Sequence, residues 1–301
     1  MSNLARGLAV VAAVFLSLPA PVLAQEAPRI FQPTGPWTAD FGDDYCRLLR
    51  TFSDGRDTVS ISFEKIDTGP TMRLLVLGDA VAVFSSSSEI GIGFLPSGEE
   101  LRRPYAWSTV ADGQQLLIFS NMSLATPGRA GDQATGDATQ AEQDAAELVG
   151  AAAVTAIGFG SGLTGPVRIE TGSLRNAVEV LQSCGYDLLS SWGLDGDKHR
   201  TLSRRAMPPP EPILADGTIP FGEYPALAGN SNMVRVMVDA SGAPTACAIH
   251  FATLSEGVNT RLCSQVMANA GFTPALDAEG QPIASYWTAA PVALLGPPPG
   301  R

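Results

Sequence analysis

Residues 233–251, MVRVMVDASGAPTACAIHF, carry the clearest structural pattern in the C-terminal part of the chain. Residues 233–238 and 245–251 each alternate with a period of two, which is the pattern of a strand with one buried face. The Asp, Ser, Gly and Pro residues between them are turn formers. The sequence therefore predicts two strands joined by a turn, with Cys247 on one face of the second strand and His250 on the other. We expect His250 to be exposed or to face a partner.

The residues after this hairpin predict a helix and a last strand. Asn259 can cap a helix that runs to about Ala270, and Cys263 lies on the apolar face of that helix. A final strand is expected at about residues 283–294. The predicted order is strand, strand, helix, strand, with Cys247 and Cys263 both directed inward.

A proline-rich segment, MPPPEP at residues 207–212, divides the chain, because consecutive prolines neither continue a helix nor donate hydrogen bonds to a sheet. We place one domain at residues 25–206 and a second at residues 213–301. Alternating apolar residues predict that the first is β-rich. Its predicted strands lie at residues 59–64, 72–77, 80–84, 91–95, 115–119 and 167–170. The predicted fold class is α+β, with a β-rich N-terminal domain and a small ββαβ C-terminal domain.

One segment of the first domain is predicted to be a mobile insertion. Residues 125–147 are so poor in aromatic and branched aliphatic side chains that they cannot bury enough surface to offset the entropy of ordering. Within this segment, residues 140–148 have the composition to form a short helix.

The four cysteines are an even set, without a Cys-x-x-Cys pair and without a Cys/His spacing typical of a metal site. Four cysteines allow three pairings. Two helices, expected at about residues 43–52 and from Ser173 onward, would direct Cys46 and Cys184 into the core of the first domain. The domain layout therefore favours two disulfides, Cys46–Cys184 and Cys247–Cys263.

Residues 1–24 have the features of a secretory signal peptide, with Arg6 before an apolar core and small residues before Gln25. The alternative is an uncleaved membrane anchor. The apolar core, residues 8–18, would rise roughly 16 Å as a helix, whereas the hydrocarbon of a bilayer is roughly 30 Å thick. We therefore expect cleavage before Gln25, export to the periplasm, and no stable membrane insertion after cleavage.

Composition and motifs argue against several functions. A formal net charge of −11 and only two lysines leave no basic surface for nucleic acid or anionic lipid. The residues GSGLTG at 160–165 fit Gly-x-Gly-x-x-Gly, but Pro166 follows where a dinucleotide site needs a helix. His199, in a predicted solvated turn, and His250 have no serine or cysteine near them in an obvious catalytic arrangement. We assign no catalytic, cofactor-binding or metal-binding residue.

Five short motifs follow one another after residue 212. They are Tyr224-Pro225-Ala226, the turn from Asp239 to Gly242 after a strand, Ser255-x-Gly257, Phe272-x-Pro274-Ala275 and Asp277-x-x-Gly280-x-Pro282. Their order and spacing over about residues 213–295 resemble the TonB C-terminal domain family. The pair Cys247 and Cys263 resembles a disulfide-bearing branch of that family.

This resemblance implies a periplasmic module that receives an extended segment of a partner protein along the edge of a sheet. Ser285, Tyr286 and Trp287 lie on the candidate edge strand; the alternative for these side chains is packing in the core and at its rim. The short linker at residues 207–212 and a cleavable signal depart from the energy-transducing members of the family. A different partner is therefore expected.

The sequence predicts a non-enzymatic protein of the cell envelope that binds a protein partner in envelope transport or assembly, without a cofactor. The alternative is a secreted hydrolase or ligand-binding protein whose site lies in the first domain. Such a site requires a pocket with convergent polar groups between the strands of residues 59–119. A third possibility is a purely structural envelope protein.

Overall fold

The computed structural model describes residues 26–84, 87–96, 98–125, 138–269 and 271–295. The predicted signal peptide, residues 1–24, lies outside these ranges. The described chain is mixed α+β and rich in strands. The strands are β1 (Arg29–Pro33), β2 (Thr38–Phe41), β3 (Cys46–Ser53), β4 (Thr58–Lys65), β5 (Met72–Leu77), β6 (Glu89–Leu95), β7 (Leu101–Pro104), β8 (Ala106–Thr109), β9 (Gln115–Met122), β10 (Ala156–Phe159), β11 (Val167–Ile169), β12 (Met233–Val238), β13 (Pro244–His250), β14 (Ala275–Leu276), β15 (Pro282–Ile283) and β16 (Ser285–Ala289). The helices are α1 (Gln140–Ala153), α2 (Arg175–Ser191), α3 (Gly196–Arg200) and α4 (Glu256–Asn269).

The first eleven strands form one large sheet that nearly closes on itself. Their order is β7-β6-β10-β11-β1-β3-β4-β5-β9-β8, and β2 pairs with β3 outside this path. The end strands β7 and β8 are separated in the chain only by Tyr105, so the two ends of the sheet meet there. Strand β1 pairs with β11 through its first residues and with β3 through its last. Near closure leaves few free strand edges on this half of the protein.

Alternating apolar residues of these strands fill the inside of the sheet. In β5, Met72, Leu74 and Val76 are buried and the residues between them are partly exposed, because successive side chains of a strand point to opposite faces. The largest fully buried side chains of this core are Phe31, Phe52, Phe63, Phe119 and Phe159. Five of the six strands predicted here are confirmed, as β4, β5, β6, β9 and β11.

The helix predicted at about residues 43–52 is wrong, because Cys46–Ser53 is strand β3, paired with β4 along its whole length. The buried residues of β3 are Cys46, Leu48 and Phe52, whose even spacing follows the period of a strand. Leu49, which a helix would place beside Cys46 in the core, is exposed. The buried apolar residues of this segment therefore lie on one face of a strand, whereas the prediction placed them on one side of a helix.

Two other segments also differ from expectation. At residues 80–84 the chain forms a 3₁₀ turn, Asp79–Val81, because it leaves the sheet at Gly78, whose φ of 140° suits glycine. Within the insertion predicted at residues 125–147, the short helix predicted at residues 140–148 is confirmed and is longer than expected, since Gln140–Ala153 is α1 and a capping box of Thr139 and Glu142 starts it. The preceding part of the insertion, residues 126–137, lies outside the described residues.

Helices α1 and α2 pack beside each other against the face of the large sheet that carries its apolar core. Cys46 of β3 forms a disulfide with Cys184 of α2. Lys65, at the end of β4, pairs with Glu147 of α1 at an Nζ–Oε2 distance of 2.7 Å, and both side chains are buried. A buried charge without its partner is strongly destabilising, so this pair fixes the position of α1 against β4.

A second apolar core lies between helix α4 and a three-stranded sheet with the order β13-β12-β16. The short hairpin of β14 and β15 precedes β16 in the chain. The core contains Val234 and Val236 of the sheet and Leu262 of the helix. It also includes Leu202 and Ala206, which precede the proline-rich segment. The second core therefore extends upstream of residue 207.

Cys247 of β13 forms a disulfide with Cys263 of α4. The two disulfides are the same pairs that the domain layout favoured, and disulfides are typical of proteins that fold in an oxidising compartment. Helix α4 begins at Glu256, so Asn259 lies inside it, where its side-chain amide donates to the carbonyl of Leu254. None of the helices in the described ranges is long and apolar enough to cross a bilayer.

The two disulfides should differ in their contributions to stability. The Cys46–Cys184 bridge spans 138 residues and the Cys247–Cys263 bridge spans 16. In the chain-entropy model these loops correspond to roughly 5 and roughly 3 kcal/mol. We expect replacement of Cys46 and Cys184 by Ala to lower the free energy of unfolding more than replacement of Cys247 and Cys263, as measured by urea titration. A larger loss for the shorter loop would contradict this expectation.

Candidate functional site

The three residues predicted on a partner-binding edge, Ser285, Tyr286 and Trp287, lie on β16 beside β12. Ser285 is 2% exposed and Tyr286 is 7% exposed. The Trp287 ring lies 5.6 Å from the Phe272 ring, at the second core. The side chains of Ser285 and Tyr286 are thus held inside the protein, where they face the first half of the chain.

Tyr286 is the centre of the junction between the two halves. Its hydroxyl accepts a hydrogen bond from the backbone N–H of Thr68, at 3.1 Å, and lies 2.9 Å from the Thr68 hydroxyl. Its ring makes an edge contact with Trp192, at 5.5 Å between centroids. Burial raises the pKa of Tyr286 to about 12, because the ionised phenolate would lose its hydration there.

Two further contacts connect the segment between β4 and β5 to its surroundings. The hydroxyl of Thr288, on β16, donates to the carboxylate of Asp67. Arg205 donates from Nη2 to the carbonyl oxygen of Thr68 and to the side chain of Gln140 on α1. Residues from both halves and from the chain between them therefore meet at one place.

The structure brings His199 and Ser285 together, a contact that the sequence patterns did not predict. His199 is 1% exposed, and its Nε2 lies 3.0 Å from the hydroxyl of Ser285. Its Nδ1 lies 2.7 Å from the carbonyl oxygen of Asp195, which can only accept, so Nδ1 carries the proton in the neutral ring. Nε2 therefore accepts a hydrogen bond from Ser285. The predicted solvated turn at His199 is wrong, because helix α3 turns this side chain inward.

His250 is also buried, with 3% of its surface exposed, so the prediction of an exposed side chain is wrong. Neither ring nitrogen has a hydrogen-bond partner within the described residues. Its ring lies 6.2 Å from the Trp192 ring, and Nδ1 is 3.9 Å from the carboxylate of Asp44. Burial lowers the pKa of His250, and the nearby Arg235 guanidinium lowers it further, whereas Asp44 opposes the shift.

A cavity of about 400 Å³ opens at the junction. Its walls come from residues 67–71 between β4 and β5, from residues 202–208, and from residues 285–288 of β16. A second cavity of about 320 Å³ also has Asp67 and Thr288 on its wall. The interior of the large sheet, where the hydrolase hypothesis requires a pocket, is filled by the phenylalanine core instead.

A third concave surface lies on the opposite side of the small sheet from β16. Strand β13 is at the edge of that sheet, and a groove of about 740 Å³ runs between it and α4. Ile249, Leu254, Met267 and the Cys247–Cys263 disulfide contribute apolar surface to the groove. This groove combines a free strand edge with an apolar wall.

The described residues contain no group of three or more His, Cys, Asp or Glu side chains placed to hold a metal ion. Sequence patterns could not reveal the His199–Ser285 contact, because the two residues are 86 positions apart and belong to different halves. The only local sign was that Ser285 falls within an apolar strand pattern, as a residue on a buried face does.

Comparison of the chain with models of protein families finds no match. Searches among curated proteins and among solved structures also find no match.

The lowered pKa of His250 predicts a loss of stability in acid. The unfolded chain takes up a proton on this ring as the pH falls below the ordinary value of 6.5, whereas the folded protein resists it until a lower pH. His250→Leu removes this difference and also removes two unpartnered nitrogens. We expect the variant to lose less free energy of unfolding than the wild type between pH 7.5 and pH 5, in urea titrations.

His199, whose pKa burial also lowers, is present in both proteins, so the comparison isolates His250. An equal loss of stability in the two proteins would show that His250 protonates as easily in the folded state as in the unfolded chain.

Proposed function

We propose that this protein is a non-enzymatic exported protein that binds an extended segment of another envelope protein, in envelope transport or assembly. The partner segment adds as a strand to the edge of β13. The resemblance of residues 213–295 to the TonB C-terminal domain family supports strand addition in this half of the chain. The free edge of β13 beside an apolar groove is the observation that carries the proposal.

The backbone of β13 offers hydrogen-bonding groups on its outer side. The N–H of Asn232 donates to the carbonyl oxygen of Phe251 at 2.8 Å. In an antiparallel ladder, residues that bond the neighbouring strand alternate with residues whose N–H and C=O point away from it. In the register of β12 and β13, the N–H and C=O groups of Ala246 and Ala248 therefore point away from β12. Both lack a strand partner on that side among the described residues.

The groove supplies a surface for the side chains of an added strand. Alternate side chains of such a strand face α4, where Ile249, Leu254 and Met267 provide apolar contacts. Glu256 is the charged residue on the groove wall, and no lysine or arginine lines it. The groove therefore selects apolar side chains at every second position and favours a basic residue near Glu256.

The edge of β16 is a poorer receiver for a protein segment. Its Tyr286 is held by Thr68, and its Thr288 is held by Asp67. A strand added there would have to displace the segment between β4 and β5 and break these buried hydrogen bonds. Strand addition at β13 breaks no such contact.

Replacement of Ala246 tests the proposal. Ala246→Pro removes one outward N–H and places a ring on the edge, without removing a bond to β12. Peptides are selected from a random library against the oxidised mature chain and measured by fluorescence anisotropy. We expect the selected peptides to alternate apolar residues and to bind Ala246→Pro at least about tenfold more weakly than wild type. Ala246→Val is the matched control, because it keeps the N–H at the same exposed position, and it should bind as wild type does.

Equal binding of the selected peptides by Ala246→Pro and wild type would refute strand addition at β13. Protection of β16 amides, and not of β13 amides, in hydrogen exchange with the bound peptide would place the partner at the other edge.

One observation favours a second candidate function, hydrolysis. The hydroxyl of Ser285, the Nε2 of His199 and the Asp195 carbonyl have the order of a nucleophile, a base and a group that orients the base. Ser285 also lies on the wall of the 400 Å³ cavity. Its burial and the bonds that satisfy both residues make a structural role the stronger explanation.

A fluorophosphonate probe distinguishes the two candidates. If Ser285 is a nucleophile, its Oγ bonds to phosphorus, fluoride leaves and the Ser285 proton passes to Nε2 of His199. We expect no labelling of Ser285 in the folded protein, as measured by mass spectrometry. Labelling of wild type that is lost in Ser285→Ala would establish the hydrolase instead.

A further inference from the structure

We propose that the junction cavity binds a small organic anion, carrying a carboxylate or phosphate group, through Arg204 and Arg205. This inference is independent of strand addition at β13, which lies on the other side of the small sheet. It follows from three properties of the cavity: its charge, its free donors and its size.

The first property is a positive charge without a counter-ion. Neither Arg204 nor Arg205 has a carboxylate within ion-pair distance in the described parts of the chain. Several other arginines of this acidic protein are paired in this way: Arg29, Arg47, Arg73, Arg168, Arg200 and Arg235. Asp67 is the acidic residue on the cavity wall, and its carboxylate already accepts from the N–H of Gly69 and from Thr288. The wall therefore carries two positive charges against one engaged negative charge.

The second property is that each guanidinium is held in place but only partly satisfied. Arg204 donates from Nη2 to the carbonyl oxygen of Pro274, at 3.1 Å, and Arg205 donates from Nη2 to that of Thr68. The Nε atoms of both are buried without a partner. No hydrogen bond from either Nη1 exists among the described residues. Two oriented cations with unused donors suit a carboxylate or phosphate, which accept several hydrogen bonds at once.

The third property is that the size and lining of the cavity suit a ligand larger than an inorganic ion. The volume of about 400 Å³ lies in the range of small-molecule sites. Met207, Pro208 and Trp287 give apolar surface beside the two arginines, and Thr71 adds a hydroxyl. A ligand that fills this space therefore has an apolar or aromatic part attached to its anionic group.

The position of the cavity predicts what such a ligand does to the protein. Arg204 and Arg205 lie between Leu202 and Ala206 of the second core, Trp287 packs against the same core, and the wall formed by Thr68 and Thr71 belongs to the first half. A ligand that contacts all three walls binds only when the halves are together. Binding therefore stabilises the whole folded chain by linkage.

Phenyl phosphate, inorganic phosphate and benzoate are the probes, titrated into the full mature chain in calorimetry and thermal melts at constant ionic strength set with NaCl. We expect phenyl phosphate or benzoate to bind saturably and to raise the melting temperature. Inorganic phosphate should bind more weakly than phenyl phosphate, because it leaves the apolar wall uncovered. The comparison of phenyl phosphate with benzoate decides between a phosphate and a carboxylate.

Arg204→Gln and Arg205→Lys should weaken binding of the better probe at least about tenfold. Arg175→Gln, at an exposed position on α2 away from the cavity, is the matched control and should bind as wild type does. In case a cavity variant does not fold, nitrogen-15 spectra of the wild type serve as a second measurement. Amides of residues 68, 69, 71 and 204–207 should then shift saturably with the probe.

The proposal is overturned if none of the probes raises the melting temperature beyond NaCl at equal ionic strength. It is also overturned if folded Arg204→Gln binds as tightly as Arg175→Gln, or if the shifted amides lie elsewhere in the chain.

Discussion

The hydrogen bonds between Tyr286 and Thr68 are the contact on which the arrangement of the two halves depends. They join β16 to the segment between β4 and β5, and both Tyr286 and Thr68 are buried. A buried backbone N–H without an acceptor is costly, so the Thr68 N–H keeps the Tyr286 hydroxyl in place. The same contact takes the side chains of β16 out of reach of a partner, forms part of the wall of the junction cavity and leaves β13 as the open edge of the small sheet.

The junction combines charged groups, such as Asp67 and Arg205, with neutral polar groups whose protonation burial controls. Tyr286 keeps its proton, and burial favours the neutral rings of His199 and His250. His199 is fully satisfied by Asp195 and Ser285, whereas His250 has no hydrogen bond within the described chain. Protonation of either ring therefore opposes folding, because it places a charge at a buried position. Each of the two disulfides links residues of one half, so the contact between the halves depends on non-covalent forces.

The proposed activities use the two sides of the small sheet differently. The edge of β13 offers backbone groups and an apolar groove, which suit an extended segment of a protein. The cavity beside β16 is closed by the first half and has two arginines on its wall, which suit a small anion. A sheet that is covered on one edge and open on the other can perform both tasks at once, because neither ligand has to displace the other.

The local elements with an unambiguous side-chain period could be predicted from the amino-acid pattern alone: strand β5, the hairpin of β12 and β13, and with them the mixed α+β class. Period alone did not distinguish a strand from a helix at Cys46–Ser53, since the spacing of Cys46 and Leu49 also suits a helix and only pairing with β4 decides between them. The contact partners of the site residues could be identified only from the tertiary structure. Ser285 meets His199, and Tyr286 meets Thr68, across 86 and 218 positions of the chain. Periodicity reports which face of an element is buried, but only the packing of the two halves decides what that face meets.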